Sequence, residues 1–214
     1  MEGRNCSQTM QYTKNPPLLE ADLLRDPLKQ FERWLADAMA VKMKEPTAMT
    51  LATVDARGRP HARVVLFKGL RDGGFSFFTN YASAKGEELA ATGRAALVFW
   101  WDKLERSVRI EGRVKKLSRA EALSYFRTRP RGSQLGALVS RQSQTVRSRA
   151  ELDARYLDVE SELAGREIPL PATWGGYALL PASIEFWQGR RGRLHDRLRY
   201  RKSPRGWMIE RLEP

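Results

Sequence analysis

The sequence predicts a mainly β protein whose strands form a closed or split barrel, with helices between them. Three observations carry that prediction. Short segments that alternate with period 2 or run continuously apolar recur from Ala48 to Leu212, turn signals rich in Gly and Asp separate them, and capped helical stripes lie between them. Many short strands at such spacing favour closure, because a closed sheet leaves no edge exposed.

Taken in order, residues 1–20 are polar, contain Pro16 and Pro17, and are expected to form a flexible arm ahead of one domain at 21–214. Tyr12 is the arm's large aromatic, free either to close over a ligand or to idle in a tail. Asp26-Pro27 opens a helix, with Leu28, Phe31, Trp34, Leu35 and Ala38 at core spacing and Pro46 ending the helical reading. Ala48 to Val54, the turn Asp55 to Gly58, and His61 to Lys68 read as a hairpin, in which His61 is a structural residue. Asp72-Gly73-Gly74 turns the chain into Phe75 to Thr79. Ala95 to Trp101 is nearly continuous apolar sequence. From Val108 to Lys115 apolar and charged residues alternate, as on a strand with one wet face. Further strands are expected at 176–180, 184–187, 197–201 and 207–212. Three helices interrupt them: Ser83 to about Thr92, a capping box at Ser118 to Glu121 leading to Thr128, and Ser148 to about Leu163.

A chain of 214 residues with 42% hydrophobic and 29% charged residues fits an ordinary globular domain. No apolar run approaches the ~18 residues of a membrane span, and the polar start from Met1 to Asn5 has no signal-peptide core. A cytoplasmic protein without a membrane partner is therefore expected. Cys6 is the single cysteine, so neither a disulfide framework nor a cysteine-rich metal site is available. The net charge of +13 raises nucleic acid as a partner. Yet the basic residues spread from Arg25 to Arg211 with no nucleic-acid motif, and none is expected to bind. Small phosphorylated ligands account for a few of these charges.

One stretch stands out for chemistry. Glu185-Phe186-Trp187-Gln188-Gly189 runs into Arg193-Leu194-His195-Asp196-Arg197, and an extended backbone would put Arg193, His195 and Arg197 on one face. Such a row can hold an anion beside an imidazole. A solvated charge run is the competing reading. Tyr125, Arg129 and Ser133 are four apart, so two share a face if their helix persists, which Pro130 opposes; the alternative is a helix end with a basic surface loop.

These residues resemble the pyridoxine/pyridoxamine 5'-phosphate oxidases, FMN enzymes that make pyridoxal 5'-phosphate. The C-terminal stretch carries the likeness together with Glu45 to Met49, Arg63 to Lys68, Phe77 to Asn80, Tyr125 with Arg129 to Ser133, Ser140 to Ser143, Trp174 to Tyr177 and Glu210 to Pro214. The motifs fall in the family's order and cover nearly everything from Asp26 to Pro214.

The resemblance implies an FMN-binding split barrel of six strands. It implies a homodimer with FMN at the interface, acting on pyridoxamine 5'-phosphate or pyridoxine 5'-phosphate with O2 and releasing H2O2. It assigns to the flavin Arg63, Val64, Val65, Leu66, Phe67 and Lys68, then Phe78, Thr79, Ser83 and Lys85, and finally Ser107, Gln142, Ser143, Trp187 and Arg197. Thr79, Ser83 and Lys85 would form the phosphate corner, at the start of a helix whose free N–H groups favour an anion. To the substrate it assigns Tyr12, Lys68, Tyr125, Arg129, Ser133, Arg193, Leu194 and His195, with Arg193 and His195 orienting the pyridine ring and handling protons. No metal is implied.

Three positions depart from the family pattern. Ala84 stands where arginine is common, which predicts weaker FMN retention; Ser107 stands where glutamine is common, and Thr9 where a basic residue is expected. A strict period-2 reading also puts Arg63 and Lys68 on opposite faces of their strand. Two other functions remain open at this point: a related flavin oxidase of the phenazine-pathway type, and a basic β-barrel that binds nucleic acid without catalysis.

Overall fold

The structure is a computed structural model describing residue 12 and residues 14–214. Cys6 and Thr9, on which two expectations above rest, lie outside the described residues. The elements run α1 (Pro27–Ala40), β1 (Ala48–Val54), β2 (Pro60–Leu66), β3 (Leu70–Arg71), β4 (Gly74–Asn80), α2 (Ala84–Thr92), β5 (Arg94–Trp101) and β6 (Arg106–Lys116). They continue with α3 (Arg119–Thr128), α4 (Arg131–Val139), α5 (Arg149–Glu162), β7 (Trp174–Gln188), β8 (Asp196–Ser203) and β9 (Gly206–Arg211). The strands form one sheet in the order β2-β1-β5-β6-β7-β4-β3, with β8 on β7 and β9 on β8. This is the predicted split-barrel class, mainly antiparallel with flanking helices. No helix among the described residues is long and apolar enough to cross a membrane.

The chain divides into two compact units. The first comprises the described part of Met1–Thr50 with Leu97–Glu111 and Pro181–Pro214. Its core is the predicted stripe of α1. The Asp26 side chain caps that helix by accepting from the Leu28 N–H, and Phe31 and Trp34 are buried. Phe31 lies 4.9 Å from Phe99 and Trp34 meets Phe186 edge-on at 5.1 Å, so truncating either would cost ~3–5 kcal/mol. Tyr200 is also buried, and its hydroxyl donates to the Leu24 carbonyl at 2.6 Å. Burial pushes its pKa up to about 12.

The second unit comprises Leu51–Ala96 and Gly112–Leu180. Here β4 pairs with β7 from Phe75↔Leu179 to Asn80↔Trp174. Phe126, Leu135, Ile168 and Trp174 form a buried cluster under the helices. Gly112 is forced by close approach, since a Cβ there would lie 2.0 Å from the Leu180 carbonyl oxygen.

Four sequence expectations are corrected. Pro130 does not open a surface loop; it occupies the N-cap position of α4, where its missing N–H costs nothing. The strands expected at 176–180 and 184–187 are one strand, β7, because Pro181 falls between the residues paired with β4 and those paired with β8 and so removes no bond of either ladder. The strand expected through Lys68 stops at Leu66, where the chain turns: the Lys68 N–H donates to Ser76 O, the Ser76 N–H donates to Gly69 O, and Gly69 has φ +94°. Residues 191–193 form a turn rather than extended chain, with φ of 65° at Gly192 and 64° at Arg193.

Candidate functional site

In the second unit a cavity of about 860 Å³ opens between β2, β4 and the helices. Arg63, Val64, Val65, Leu66 and Lys68 line it together, which corrects the expectation that Arg63 and Lys68 face opposite ways. Period-2 alternation ends with the strand at Leu66, and the turn after it carries Lys68 onto the same wall. Phe78, Thr79, Lys85, Tyr125, Arg129, Ser133 and Gln142 complete the predicted residues found there. Phe67 is 7% exposed and packs on Phe75 at 5.8 Å, so its side chain belongs to the core.

One end of the cavity is built for an anion. The Thr79 hydroxyl (3.0 Å), the Lys85 amine (3.2 Å) and the Asn80 N–H (3.4 Å) all converge on the Gln142 side-chain oxygen. Three donors meeting at one point suit a phosphate oxygen as well as they suit an amide. Arg63 is fixed beside them: it donates to Glu88 at 2.9 Å, to the Leu51 carbonyl at 3.3 Å and to the Thr53 hydroxyl, which itself donates to Glu88. Burial, then the Arg63 charge, lowers the pKa of Lys85, with Glu88 opposing. Ser83 is fully buried and spent on structure, accepting from the Gly86 N–H as cap of α2 and donating to the Asn80 carbonyl. Ser143 is exposed, with φ 73°.

The other end also fits an anion, around Arg129. Tyr125 stacks on Phe78 at 4.0 Å, Phe78 on Trp174 at 5.3 Å, and the Arg129 guanidinium lies 5.0 Å over the Trp174 ring. The helix through Tyr125 stops at Thr128 and Arg129 is extended, so the i, i+4 stacking does not form. The fold still brings Tyr125, Arg129 and Ser133 to one wall, with Ser133 in the first turn of α4. Among the described residues Arg129 Nη1 is buried without a hydrogen-bond partner, and burial lowers the pKa of this arginine. An orphaned, buried guanidinium N–H calls for an acceptor.

The remaining predicted residues belong to the first unit. Arg193, His195 and Arg197 do not share a face, because positive φ at Gly192 and Arg193 turns the chain before β8 begins at Asp196. Leu194 is 74% exposed. His195 Nδ1 accepts the Arg190 N–H at 3.1 Å, and its ring lies 4.7 Å from Trp187 and 5.5 Å from Tyr12. Burial, then the Arg193 charge, lowers the His195 pKa against the opposing Asp196. Tyr12 covers Gly189 so closely that a Cβ there would lie 2.5 Å from its ring. Arg197 forks onto Glu185 at 2.8 and 3.2 Å, and Arg109 reaches the same carboxylate at 2.6 Å. Ser107 and Trp187 line a smaller cavity of about 250 Å³ with Trp100 and Arg109.

Sequence reasoning gave no role to Glu88, Thr53 or Trp100. Glu88 sits one turn after the predicted phosphate corner, on the face that α2 buries, which is the signal that could have marked it.

Comparison with known proteins shows the family. A family model described as pyridoxamine 5'-phosphate oxidase matches residues 35–161, and one described as the pyridoxine 5'-phosphate oxidase C-terminal dimerisation region matches 174–214. A pyridoxine/pyridoxamine 5'-phosphate oxidase of Thermosynechococcus vestitus is 55% identical over 92% of this chain and 93% of its own. One of Bordetella petrii is 52% identical over 98% and 100%. Among solved structures, PhzG from Burkholderia lata 383, in complex with tetrahydrophenazine-1-carboxylic acid, superposes with a TM-score of 0.87 at 32% identity, covering 92% of this chain and 98% of that one. The chain belongs to the pyridoxine/pyridoxamine 5'-phosphate oxidase family.

Proposed function

We propose that the protein is an FMN-dependent oxidase that converts pyridoxamine 5'-phosphate or pyridoxine 5'-phosphate to pyridoxal 5'-phosphate. It acts as a homodimer with FMN at the interface. The observation that carries this reading is one cavity with two anion-binding ends, three converging donors at one and the unpaired Arg129 at the other. A coenzyme phosphate and a substrate phosphate each have a place. The dimerisation region matched at 174–214 supports the homodimer.

Arg63, Thr79, Lys85 and the N-terminus of α2 would hold the FMN phosphate, with the donors that Gln142 engages. Val64 to Leu66 and Phe78 would flank the flavin from this cavity, while Ser107, Trp187 and Arg197 would contact its ring. Bound FMN supplies a two-electron acceptor for the hydride leaving the substrate C4' carbon and a route for those electrons to dioxygen, with hydrogen peroxide as product. Lys68, Tyr125, Arg129 and Ser133 hold the substrate phosphate and so fix where that carbon lies. Arg193 orients the pyridine ring, with Leu194 and Tyr12 covering it. Burial and the Arg193 charge favour the neutral form of His195; with Nδ1 accepting from Arg190, the neutral ring carries its proton on Nε2, which serves the substrate as a donor.

The phenazine-pathway alternative has a structural neighbour in PhzG, but it gives the Arg129 cradle no phosphate to bind. The test is aerobic turnover of each vitamer phosphate by FMN-supplemented protein, following aldehyde and peroxide together. Stoichiometric formation of both is expected. Turnover of the unphosphorylated vitamers at equal kcat/KM would overturn the reading.

A further inference from the structure

In the first unit, Val98 and Trp100 on β5, Ser107 and Arg109 on β6, and Glu185 and Trp187 on β7 line one cavity of about 250 Å³. Each pair is two residues apart and the three strands are neighbours, so all six project from one face of the sheet. The two ends of this face differ. At one, the Glu185 carboxylate is only 6% exposed and is saturated by Arg109 and Arg197. At the other stand two indoles with ring centroids 5.8 Å apart and planes at 56°. Trp100 is 47% exposed, whereas its neighbours Phe99 and Trp101 on the opposite face are buried.

A lone exposed aromatic needs no explanation. This one is not alone. It borders a concavity with a second tryptophan and an aliphatic side chain, over a floor whose charges are already paired, and beside the short Ser107, which leaves space next to the ring. Such a site suits a flat, largely apolar ring system with polar atoms on one edge. Nothing assigned so far uses Trp100.

We propose that Trp100 is a contact of the flavin ring, the wall on which the isoalloxazine lies beside Trp187. This rests on the oxidase reading, in which Trp187, Ser107 and Arg197 attend the ring. Trp100 then supplies by stacking part of the hold that the small Ser107 hydroxyl does not.

The test titrates apoprotein with FMN, following the quenching of flavin and tryptophan fluorescence, for wild type, Trp100→Leu and Trp100→Phe, with the oligomeric state measured alongside. Loss of one stacking partner is expected to raise the FMN Kd about tenfold in Trp100→Leu. Trp100→Phe is expected to stay within about threefold of wild type, since a phenyl ring still stacks. At saturation, flavin emission is expected to be brighter in Trp100→Leu than in wild type. Equal Kd values in wild type and Trp100→Leu would overturn the assignment. So would a loss of affinity that appears only with dissociation to monomers, which would make Trp100 an interface residue instead. Wild-type protein that fails to bind FMN would sink the underlying oxidase reading, a result separate from the other two.

Discussion

The arginines of the large cavity and those around Trp187 have opposite surroundings. Arg129 lines the cavity with a buried N–H that has no partner among the described residues, whereas Arg197 and Arg109 share a buried carboxylate. A cation without a partner gains most from a ligand; a cation already paired gains most from its neighbour. The same residue type therefore leaves a donor open in one place and closes an ion pair in the other, and arginine content alone would not separate the two.

The sharpest way to break that contrast is Arg129→Ala. KM for the vitamer phosphate is expected to rise about 100-fold, the upper range for a charged hydrogen bond, with kcat changed little. An unchanged KM would remove Arg129 from the cradle. Glu185→Ala probes the other side: it leaves Arg109 and Arg197 without their shared acceptor. A cost of about 2 kcal/mol is expected, below the range for fully buried pairs because both guanidiniums are partly exposed. In a chain of this size that lowers Tm by about 4–8 °C, measurable by calorimetry.

Arg193→Ala sharpens the comparison further, since this exposed side chain is assigned to substrate alone. kcat/KM is expected to fall about 30-fold while the FMN Kd, followed by flavin fluorescence, stays within about twofold. Parallel loss of both would contradict the assignment. The smallest effect concerns His195. Its lowered pKa means that between the ordinary ~6.5 and the folded value the unfolded chain binds a proton that the folded chain refuses. Its contribution to stability is thus present above ~6.5 and falls as pH drops through that window. NMR titration of the imidazole is expected to give a midpoint below ~6.5, and removing the Arg193 charge should move it upward.

Local chemistry made much of this fold legible. Asp26, Ser83, Ser118 and Ser148 cap helices through their side chains as their sequences predict, and the alternation along β6 separates its wet and dry faces. The predicted residues that the large cavity brings together were named through motifs that span elements, not through any one periodicity. What escaped was wherever a rule of continuation failed. Period 2 assigned Lys68 and Arg193 to faces by assuming that a strand continued, and positive φ at Gly69, Gly192 and Arg193 shows that it did not. Pro130 looked like the end of a helix because a proline marks a break in one helix without revealing that a second begins at Arg131. Glu88 drew no reading from the sequence; only the tertiary approach of Arg63 and Thr53 makes it a brace.

The solitary guanidinium N–H over Trp174 has a practical consequence at the bench. A site awaiting an oxyanion does not distinguish strongly between a vitamer ester and the salts of a buffer. Inorganic phosphate or sulfate should therefore act as a competitive inhibitor, and Michaelis constants measured in phosphate buffer will exceed those measured in a zwitterionic one.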